Sequence, residues 1–291
     1  MDDLTMHLMH LCRRNRDGSY GTKTNRQRGL TAIARELREL GYKLPTAASI
    51  KPKHVTALVE KWSGEDKTDA SIRNRLTWLR WWAEKINKPN VVHPDNAYYG
   101  VADRGGEIRN RARTLQPDDL TAIACPFVQA SVLLQVSFGL RREEALKFRP
   151  KDAIKFDRIV LQGSWTKGGR AREIPLTTLE QRQTLQQVST LIKGAESLIP
   201  PELSYIEQLK RYEYQTLKAG LRNTHGFRHA YAQQRYQVLT GQPCPLANGK
   251  HWQEMTATER ETDRIARRQI ATELGHGRLE ITDTYLGRAF Q

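Results

Sequence analysis

Leu274-Gly275-His276-Gly277-Arg278-Leu279-Glu280-Ile281-Thr282-Asp283-Thr284-Tyr285 is the stretch that decides how this chain is interpreted, because it places a histidine and a tyrosine at a fixed separation in a segment predicted to be helical. Two other stretches precede it: Gly139-Leu140-Arg141-Arg142-Glu143-Glu144 and His225-Gly226-Phe227-Arg228-His229. Each is a weak signal alone, since a tyrosine near a C-terminus usually packs in the core or lies on the surface. Their conjunction is informative, because guanidinium groups suit a phosphate and a tyrosine hydroxyl can attack one.

The composition indicates a polyanionic partner. Lys and Arg number 47 against 32 Asp and Glu, which gives a formal charge of +15 and a pI near 9.9, and the basic residues are spread along the chain. No segment approaches the roughly 20 apolar residues that a membrane-spanning helix needs, and the start Met1-Asp2-Asp3 lacks a signal-peptide pattern. We therefore expect a cytoplasmic protein with no membrane partner.

The three cysteines do not indicate a disulfide framework or a structural zinc site. Cys12, Cys125 and Cys244 are far apart, odd in number and in no CxxC arrangement. We expect them to be reduced thiols, and we predict no metal site.

Residues 1–87 are predicted to form a small helical domain, the first of about two that a 291-residue chain suits. Apolar residues recur at helical spacing from about Thr24 to Leu40, over 52–62 and over 69–86. We expect Trp78 and Trp82 to pack in its core. Basic side chains on the same helices either contact DNA phosphates or are solvated surface; they are Lys23, Arg26, Arg28, Arg73 and Arg75.

Residues 88–114 are predicted to be an interdomain linker. The helical pattern breaks there into Lys-Pro, His-Pro and Gly-Gly pairs, followed by a basic run that contains Arg109, Arg111 and Arg113. A basic tether can follow the phosphate backbone of a duplex, so we expect these three arginines to bind DNA. An ordinary solvated linker is the alternative.

Residues 115–291 are predicted to form a second domain that is mainly α with a small sheet. Gln116-Pro117-Asp118-Asp119 indicates a helix start, and the apolar run 127–138 predicts a buried helix that delivers Arg141 into a cleft. Segments 155–161 and 171–176, with Thr166-Lys167-Gly168-Gly169 between them, predict a β-hairpin or a small three-stranded sheet. From 178 to 285 the pattern is helical again, broken at 193–194, 200–201 and 240–249.

The three quoted stretches resemble the signature boxes of the tyrosine recombinases, also called phage-type integrases. The resemblance implies a helical, SAM-like core-binding domain followed by a catalytic domain, together forming a C-shaped clamp around DNA. It also implies that Tyr285 attacks a DNA phosphodiester, that Arg141 and Arg228 hold the phosphate, and that His225 and His276 assist proton transfer. No cofactor is implied, because a covalent phosphotyrosine stores the energy needed for resealing.

Two further side chains match family positions. Lys167, in the hairpin turn, matches the general-acid lysine that protonates the departing 5′-oxygen, with Lys155 as the alternative. Glu144 matches an acidic position expected to hold an active-site side chain in place.

The chain departs from the family pattern in two places. An insertion around 239–249 forms either a subunit contact or a surface excursion, and only six residues follow Tyr285. The second departure puts in doubt how protomers exchange contacts.

The resemblance implies a site-specific recombinase, most simply the integrase of a mobile element in a prokaryotic cell, located in the cytoplasm at the nucleoid. Its expected partners are double-stranded DNA, three further copies in a homotetramer, and DNA-bending accessory proteins. The alternatives are a multimer-resolving recombinase, a type IB topoisomerase, and a DNA-binding regulator without catalytic activity. An intact catalytic set argues against the last.

Overall fold

The computed structural model describes residues 2–102, 108–166, 168–193 and 195–288. The chain divides into two compact units, Met1–Glu107 and Ile108–Gln291. Both are mostly helical, and the second contains a small sheet, so the predicted fold class is confirmed. Across the described ranges, none of the helices combines the length and the apolarity that crossing a membrane requires.

The N-terminal unit is built from four helices around one core. The helices are α1 (Asp3–Arg14), α2 (Tyr20–Glu39), α3 (Pro52–Gly64) and α4 (Asp69–Lys85). Trp82 is fully buried and Trp78 packs against the same core, as predicted. Helix α1 was not predicted; Asp2 caps it by accepting from the Thr5 amide, and Leu8 is among the few side chains that it buries.

The predicted linker is divided between the two units. Val92 and Val101 are each 2% exposed in the core of the N-terminal unit. At the other end, the Arg113 guanidinium donates to the carbonyls of Arg222 and Gly220, 2.6 and 3.1 Å away. Apolar burial therefore holds Val92 and Val101 in the first half of the predicted linker, and hydrogen bonds hold Arg113 in the second half. The linker bounds stay a prediction.

The C-terminal unit consists of short and long helices that surround a two-stranded antiparallel sheet. Strand β1 (Arg158–Leu161) pairs with β2 (Arg172–Pro175), with Arg158 opposite Pro175. The helices are α5 (Pro117–Thr121), α6 (Pro126–Phe138), α7 (Arg142–Leu146), α8 (Pro150–Ala153), α9 (Leu179–Leu191), α10 (Tyr205–Lys218), α11 (Gly226–Thr240), α12 (Ala257–Leu274) and α13 (Asp283–Leu286). Short 3₁₀ turns connect several of them.

The buried helix α6 ends where the sequence predicted, and its end sets the direction of Arg141. Gly139 caps α6 with a φ of +59°, and a Cβ there would lie 2.6 Å from the Tyr231 ring. Both constraints call for glycine. The chain then turns, so that Arg141 becomes the N-cap of α7.

The predicted insertion packs on its own chain. Helix α11 extends through Thr240, and the loop after it contains the 3₁₀ turn Pro245–Ala247. Cys244 is fully buried, and a Cβ at Gly287 would lie 2.9 Å from the Pro245 Cβ. The loop therefore packs against the segment that follows Tyr285, while most of its residues stay exposed or half-buried. The subunit contact and the surface excursion both stay predictions.

Candidate active site

Tyr285 lies on the four-residue helix α13 and is 5% exposed. Its hydroxyl is 3.2 Å from His225 Nε2, and it accepts a hydrogen bond from Arg228 Nε at 3.3 Å. Because the arginine must be the donor, the hydroxyl proton is available to His225 Nε2. This arrangement places a base and a cation on the oxygen of one tyrosine.

One face of α11 contacts Tyr285 at its hydroxyl, its ring and its backbone carbonyl. His225, the N-cap of α11, and His229 and Gln233 within it follow at intervals of four residues, which places them on one helix face. His225 meets the hydroxyl of Tyr285, the His229 ring lies 4.4 Å from the tyrosine ring between centroids, and Gln233 Nε2 donates to the Tyr285 carbonyl at 3.1 Å.

Arg228 is 1% exposed, and it binds the ends of two helices. It donates to the Gly139 carbonyl at 2.5 Å and to the Leu274 carbonyl. Carbonyls at helix C-termini lack partners within the helix and favour a cation. Burial and the neighbouring Arg141 lower the pKa of Arg228 to about 10, so this guanidinium remains charged at neutral pH.

Glu144 connects two arginines. Its Oε1 accepts from Arg141 NH1 at 2.8 Å and from Arg172 NH1 at 3.0 Å, while Oε2 accepts from Arg172 NH2 at 2.7 Å. Burial alone would raise the pKa of this fully buried carboxyl, but the hydrogen bonds and charge of Arg172, with Arg141, lower it to about 2. Glu144 is therefore ionised, and it holds Arg141 at the edge of the site.

His276 lies between Arg228 and Thr282. Its Nε2 is 3.4 Å from Arg228 NH2 and its Nδ1 is 3.1 Å from Thr282 Oγ1. Since arginine only donates, Nε2 is the acceptor, which assigns the proton of the neutral ring to Nδ1. Burial, followed by the charge of Arg228, lowers the pKa of His276 to about 3. Burial and the same arginine also lower the pKa of His225.

The charges of this site do not balance. Glu144 binds Arg141 and Arg172, and it is the one carboxylate that any of Arg141, Arg172 and Arg228 contacts among the described residues. Three guanidinium groups and one carboxylate leave a net charge of two, and Arg228, which has no carboxylate partner among the described residues, contacts the Tyr285 hydroxyl. Such a site favours an anion with several oxygens. The described part of the chain groups no three His, Cys, Asp or Glu side chains that could hold a metal ion.

The predicted general acid cannot be placed in this geometry. Lys167 lies outside the described residues. Its neighbour Thr166 closes the turn by donating to the Arg170 carbonyl at 2.7 Å. The alternative, Lys155, is exposed in the turn before β1.

The predicted DNA-binding residues fall into two groups. Arg28, Arg109 and Arg111 are exposed, and Lys23 is half-buried. Arg73 and Arg113, also half-buried, bind backbone carbonyls of their own units. Arg26 is 5% exposed, pairs with Asp17 at 3.2 Å and lies 3.7 Å from the Trp81 ring centroid. These contacts favour a structural role for Arg26, and its phosphate contact stays a prediction.

Sequence reasoning did not single out three contributors to the site: Arg172, Thr282 and Gln233. Thr282 lies in a quoted stretch and Arg172 in the predicted strand 171–176, but neither residue type identifies its partner. Only the fold brings Arg172 of β2 to Glu144 of α7.

Two family models match the sequence: "Phage integrase, N-terminal" over residues 1–89 and "Integrase" over residues 121–234. Together the two matches cover more than half of the chain. The chain belongs to the tyrosine recombinase family, the phage-type integrases. No curated protein sequence matches the chain.

Solved structures that are similar cover almost the whole chain. A lambda integrase dimer bound to a COC′ core site has a TM-score of 0.62 and 18% identity, covering 98% of this chain and 77% of that one. The integrase of the transposon Tn1549, in complex with circular intermediate DNA, has a TM-score of 0.58 and 15% identity over 99% and 96%. XerH site-specific recombinase, bound to a palindromic difH substrate after cleavage, has a TM-score of 0.57 and 15% identity over 97% and 80%. At such identities the likeness shows the fold.

Proposed function

We propose that this protein breaks and rejoins DNA at specific sites through a transient 3′-phosphotyrosine on Tyr285. The observation that carries the proposal is the contact of the Tyr285 hydroxyl with both His225 and Arg228, in a site with unbalanced positive charge. A hydroxyl placed between a base and a phosphate-binding cation is suited to phosphoryl transfer.

The reaction assigns one role to each side chain. The Tyr285 oxygen attacks phosphorus and its proton passes to His225 Nε2, while the bond from phosphorus to the 5′-oxygen breaks. Arg141 and Arg228 stabilise the charge on the nonbridging oxygens, and the Arg228 Nε that donates to the hydroxyl in the free protein becomes available to phosphate. His276, as a neutral ring, hydrogen-bonds the phosphate or its leaving group. Lys167 supplies the proton that the 5′-oxygen takes up.

Resealing reverses these steps. A 5′-hydroxyl attacks the phosphotyrosine, the phosphodiester reforms, and Tyr285 regains its proton. Because each bond broken is replaced by one of similar energy, no nucleotide is consumed.

We propose double-stranded DNA as the partner and a homotetramer as the active assembly. Lambda integrase is known as a tetramer bound to a Holliday junction, and one tyrosine per protomer requires four protomers to exchange four strands. An integrase role for a mobile element, in the cytoplasm of a prokaryotic cell and with DNA-bending accessory proteins, follows from the likeness to phage and transposon integrases. We also propose the ranges 1–87 and 115–291 as the core-binding and catalytic domains.

The alternatives are distinguished by products. A multimer-resolving recombinase would use the same residues on a different site. A type IB topoisomerase would relax supercoils without sequence preference. A DNA-binding regulator would form no adduct, and the contacts of Tyr285 argue against it.

The test is covalent trapping on nicked DNA. A library of nicked duplexes, randomised beside the nick, is incubated with wild type, Tyr285→Phe and the matched control Tyr214→Phe, whose ring is 66% exposed. We expect an adduct on a denaturing gel with wild type and with the control, and none with Tyr285→Phe. Sequencing the trapped DNA reveals the target site.

Other outcomes would change the assignment. An adduct with Tyr285→Phe moves the nucleophile to another residue. Tight binding without an adduct in any variant supports the regulator. Trapped DNA without a shared sequence supports the topoisomerase.

A further inference from the structure

The helix that carries Tyr285 cannot hold itself in place. Helix α13 has four residues, Asp283–Leu286, and a helix this short has almost no stability of its own. One backbone hydrogen bond, from the Gly287 amide to the Asp283 carbonyl at 2.8 Å, closes its C-terminal end. The position of Tyr285 must therefore be set by contacts from other elements.

Side chains of α12 and α11 donate hydrogen bonds to this segment. Arg267 of α12 donates to Asp283 Oδ1 at 3.0 Å and to the Gly287 carbonyl at 2.8 Å, on either side of the tyrosine. Gln233 of α11 donates to the carbonyl of Tyr285 itself at 3.1 Å. Gln233 is thus the side chain that restrains the nucleophile at its own peptide unit.

The amide of Gln233 has a second acceptor that fixes its direction. Nε2 also donates to Asn110 Oδ1 at 3.0 Å, so both of its protons are used. Asn110 in turn donates from Nδ2 to the Leu246 carbonyl at 2.8 Å and accepts from the Ala112 amide at 2.9 Å. Asn110 therefore connects the entry of the C-terminal unit to the insertion loop, and through Gln233 it is linked to the nucleophile helix.

We propose that Gln233 is a positioning residue for the nucleophile, and that Asn110 orients its amide. Neither side chain contacts the hydroxyl of Tyr285. They act on its backbone, so that the hydroxyl remains at His225 and Arg228 when phosphate arrives. The proposal rests on the proposed role of Tyr285 as nucleophile.

The experiment compares Gln233→Met, Asn110→Ala, the double variant and the control Gln234→Met. Methionine keeps the length of glutamine and removes the donor, and Gln234 is an exposed neighbour on the same helix. We measure single-turnover adduct formation and equilibrium DNA binding on the trapped site. Independently, hydrogen exchange without DNA follows the Leu286 and Gly287 amides.

We expect Gln233→Met to slow adduct formation by about 10- to 100-fold, as for a small misplacement of a reacting group, with DNA affinity within about twofold of wild type. Exchange at Leu286 and Gly287 should be about fivefold faster, as for the loss of one net hydrogen bond. Asn110→Ala should show a smaller change in the same direction. The double variant should resemble Gln233→Met, because Asn110 acts on Tyr285 through the Gln233 amide, and that amide is already absent in Gln233→Met.

Three outcomes overturn the proposal. Unchanged exchange means that Gln233 does not hold the segment, and faster exchange with an unchanged rate means that holding it does not serve the chemistry. Equal effects of Gln234→Met mean that the helix responds to any substitution. If wild type forms no adduct, the proposed function fails, while the exchange measurement still decides whether Gln233 restrains Tyr285.

Discussion

Arg228 and Arg267 are both almost fully buried in the C-terminal unit, 1% and 2% exposed. They differ in whether a carboxylate neutralises their charge. Arg267 is paired with two carboxylates, Asp263 at 2.9 Å and Asp283 at 3.0 Å. Arg228 donates to two backbone carbonyls, one hydroxyl and the His276 ring, and none of its described hydrogen-bond partners is a carboxylate.

The difference separates structural arginines from reactive ones. A buried charge without a counterion is unfavourable, so a fold keeps one only where a ligand supplies the opposite charge. Arg267 has its counterions within the chain. Arg228 lacks them, and a DNA phosphate can provide what is missing.

The largest expected effect comes from Arg228→Met. Adduct formation should slow by about 10³-fold or more, since a guanidinium that stabilises phosphoryl transfer contributes on this scale. The free energy of unfolding should change by less than about 1 kcal/mol, because an unpaired buried charge is removed together with its hydrogen bonds. Single-turnover kinetics and urea unfolding measure the two quantities. A loss of several kcal/mol in stability would make Arg228 a structural residue like Arg267.

Arg267→Met should mainly lower the free energy of unfolding. Two carboxylates would lose their partner, and removing one member of a buried pair costs about 3–5 kcal/mol. Adding Asp263→Asn should recover part of the loss, since one of the stranded charges is then absent. Urea unfolding of the single and double variants checks this. A loss below about 1 kcal/mol would show that the contrast between the two arginines does not hold.

Glu144 links the comparison to pH. Its pKa in the folded protein is about 2, below the ordinary value of 4.5. Because the folded-state pKa is lowered, ionised Glu144 stabilises the folded protein above pH 4.5, and this stabilisation is lost as pH falls towards 2. The shift corresponds to about 3 kcal/mol. At pH 7, Glu144→Gln should have a lower melting temperature than wild type. Between pH 4.5 and 2 its melting temperature should fall less than that of wild type, as measured by thermal unfolding. Parallel pH profiles for the two proteins would contradict the assignment.

The smallest effect separates two arginines of α2. Arg28 is exposed, whereas Arg26 is paired with Asp17. If Arg28 contacts a phosphate, Arg28→Ala should reduce the slope of log affinity against log salt by about 0.9. Arg26→Ala should leave the slope unchanged and lower the melting temperature. Binding titrations at several salt concentrations measure both slopes, and an equal reduction for Arg26→Ala would return it to the DNA-binding set.

The helices of the N-terminal unit and the existence of the site were predictable because each depends on local pattern or residue type. Helical spacing predicted α3 and α4 to within a few residues. The order of Arg141, His225, Arg228, His276 and Tyr285 identified the family, since phosphoryl transfer on tyrosine needs those side chains. Their individual roles remain predictions.

What could not be predicted depends on contacts between distant segments. In the sequence, Arg26 and Arg28 are both basic residues of the same predicted helix. Only the packing of α2 against α4 shows that Trp81 covers Arg26. Gln233 and Arg172 gave no signal, because a single amide or guanidinium does not reveal its partner. The sequence predicted a loop after Leu239, and the structure has one, but its packing against Gly287 could not be predicted because it depends on where α13 ends.

The unbalanced charge around Arg228 also bears on the life of the protein away from its substrate. A ligand that binds only the folded state stabilises that state in proportion to its occupancy. The Arg228 guanidinium, which has no carboxylate partner among the described residues, makes the DNA-free protein the less stable form. Proteases act chiefly on unfolded chains, so copies that have not found a duplex should be degraded first. The same electrostatics that prepares the site for phosphate would then limit how long an idle enzyme persists.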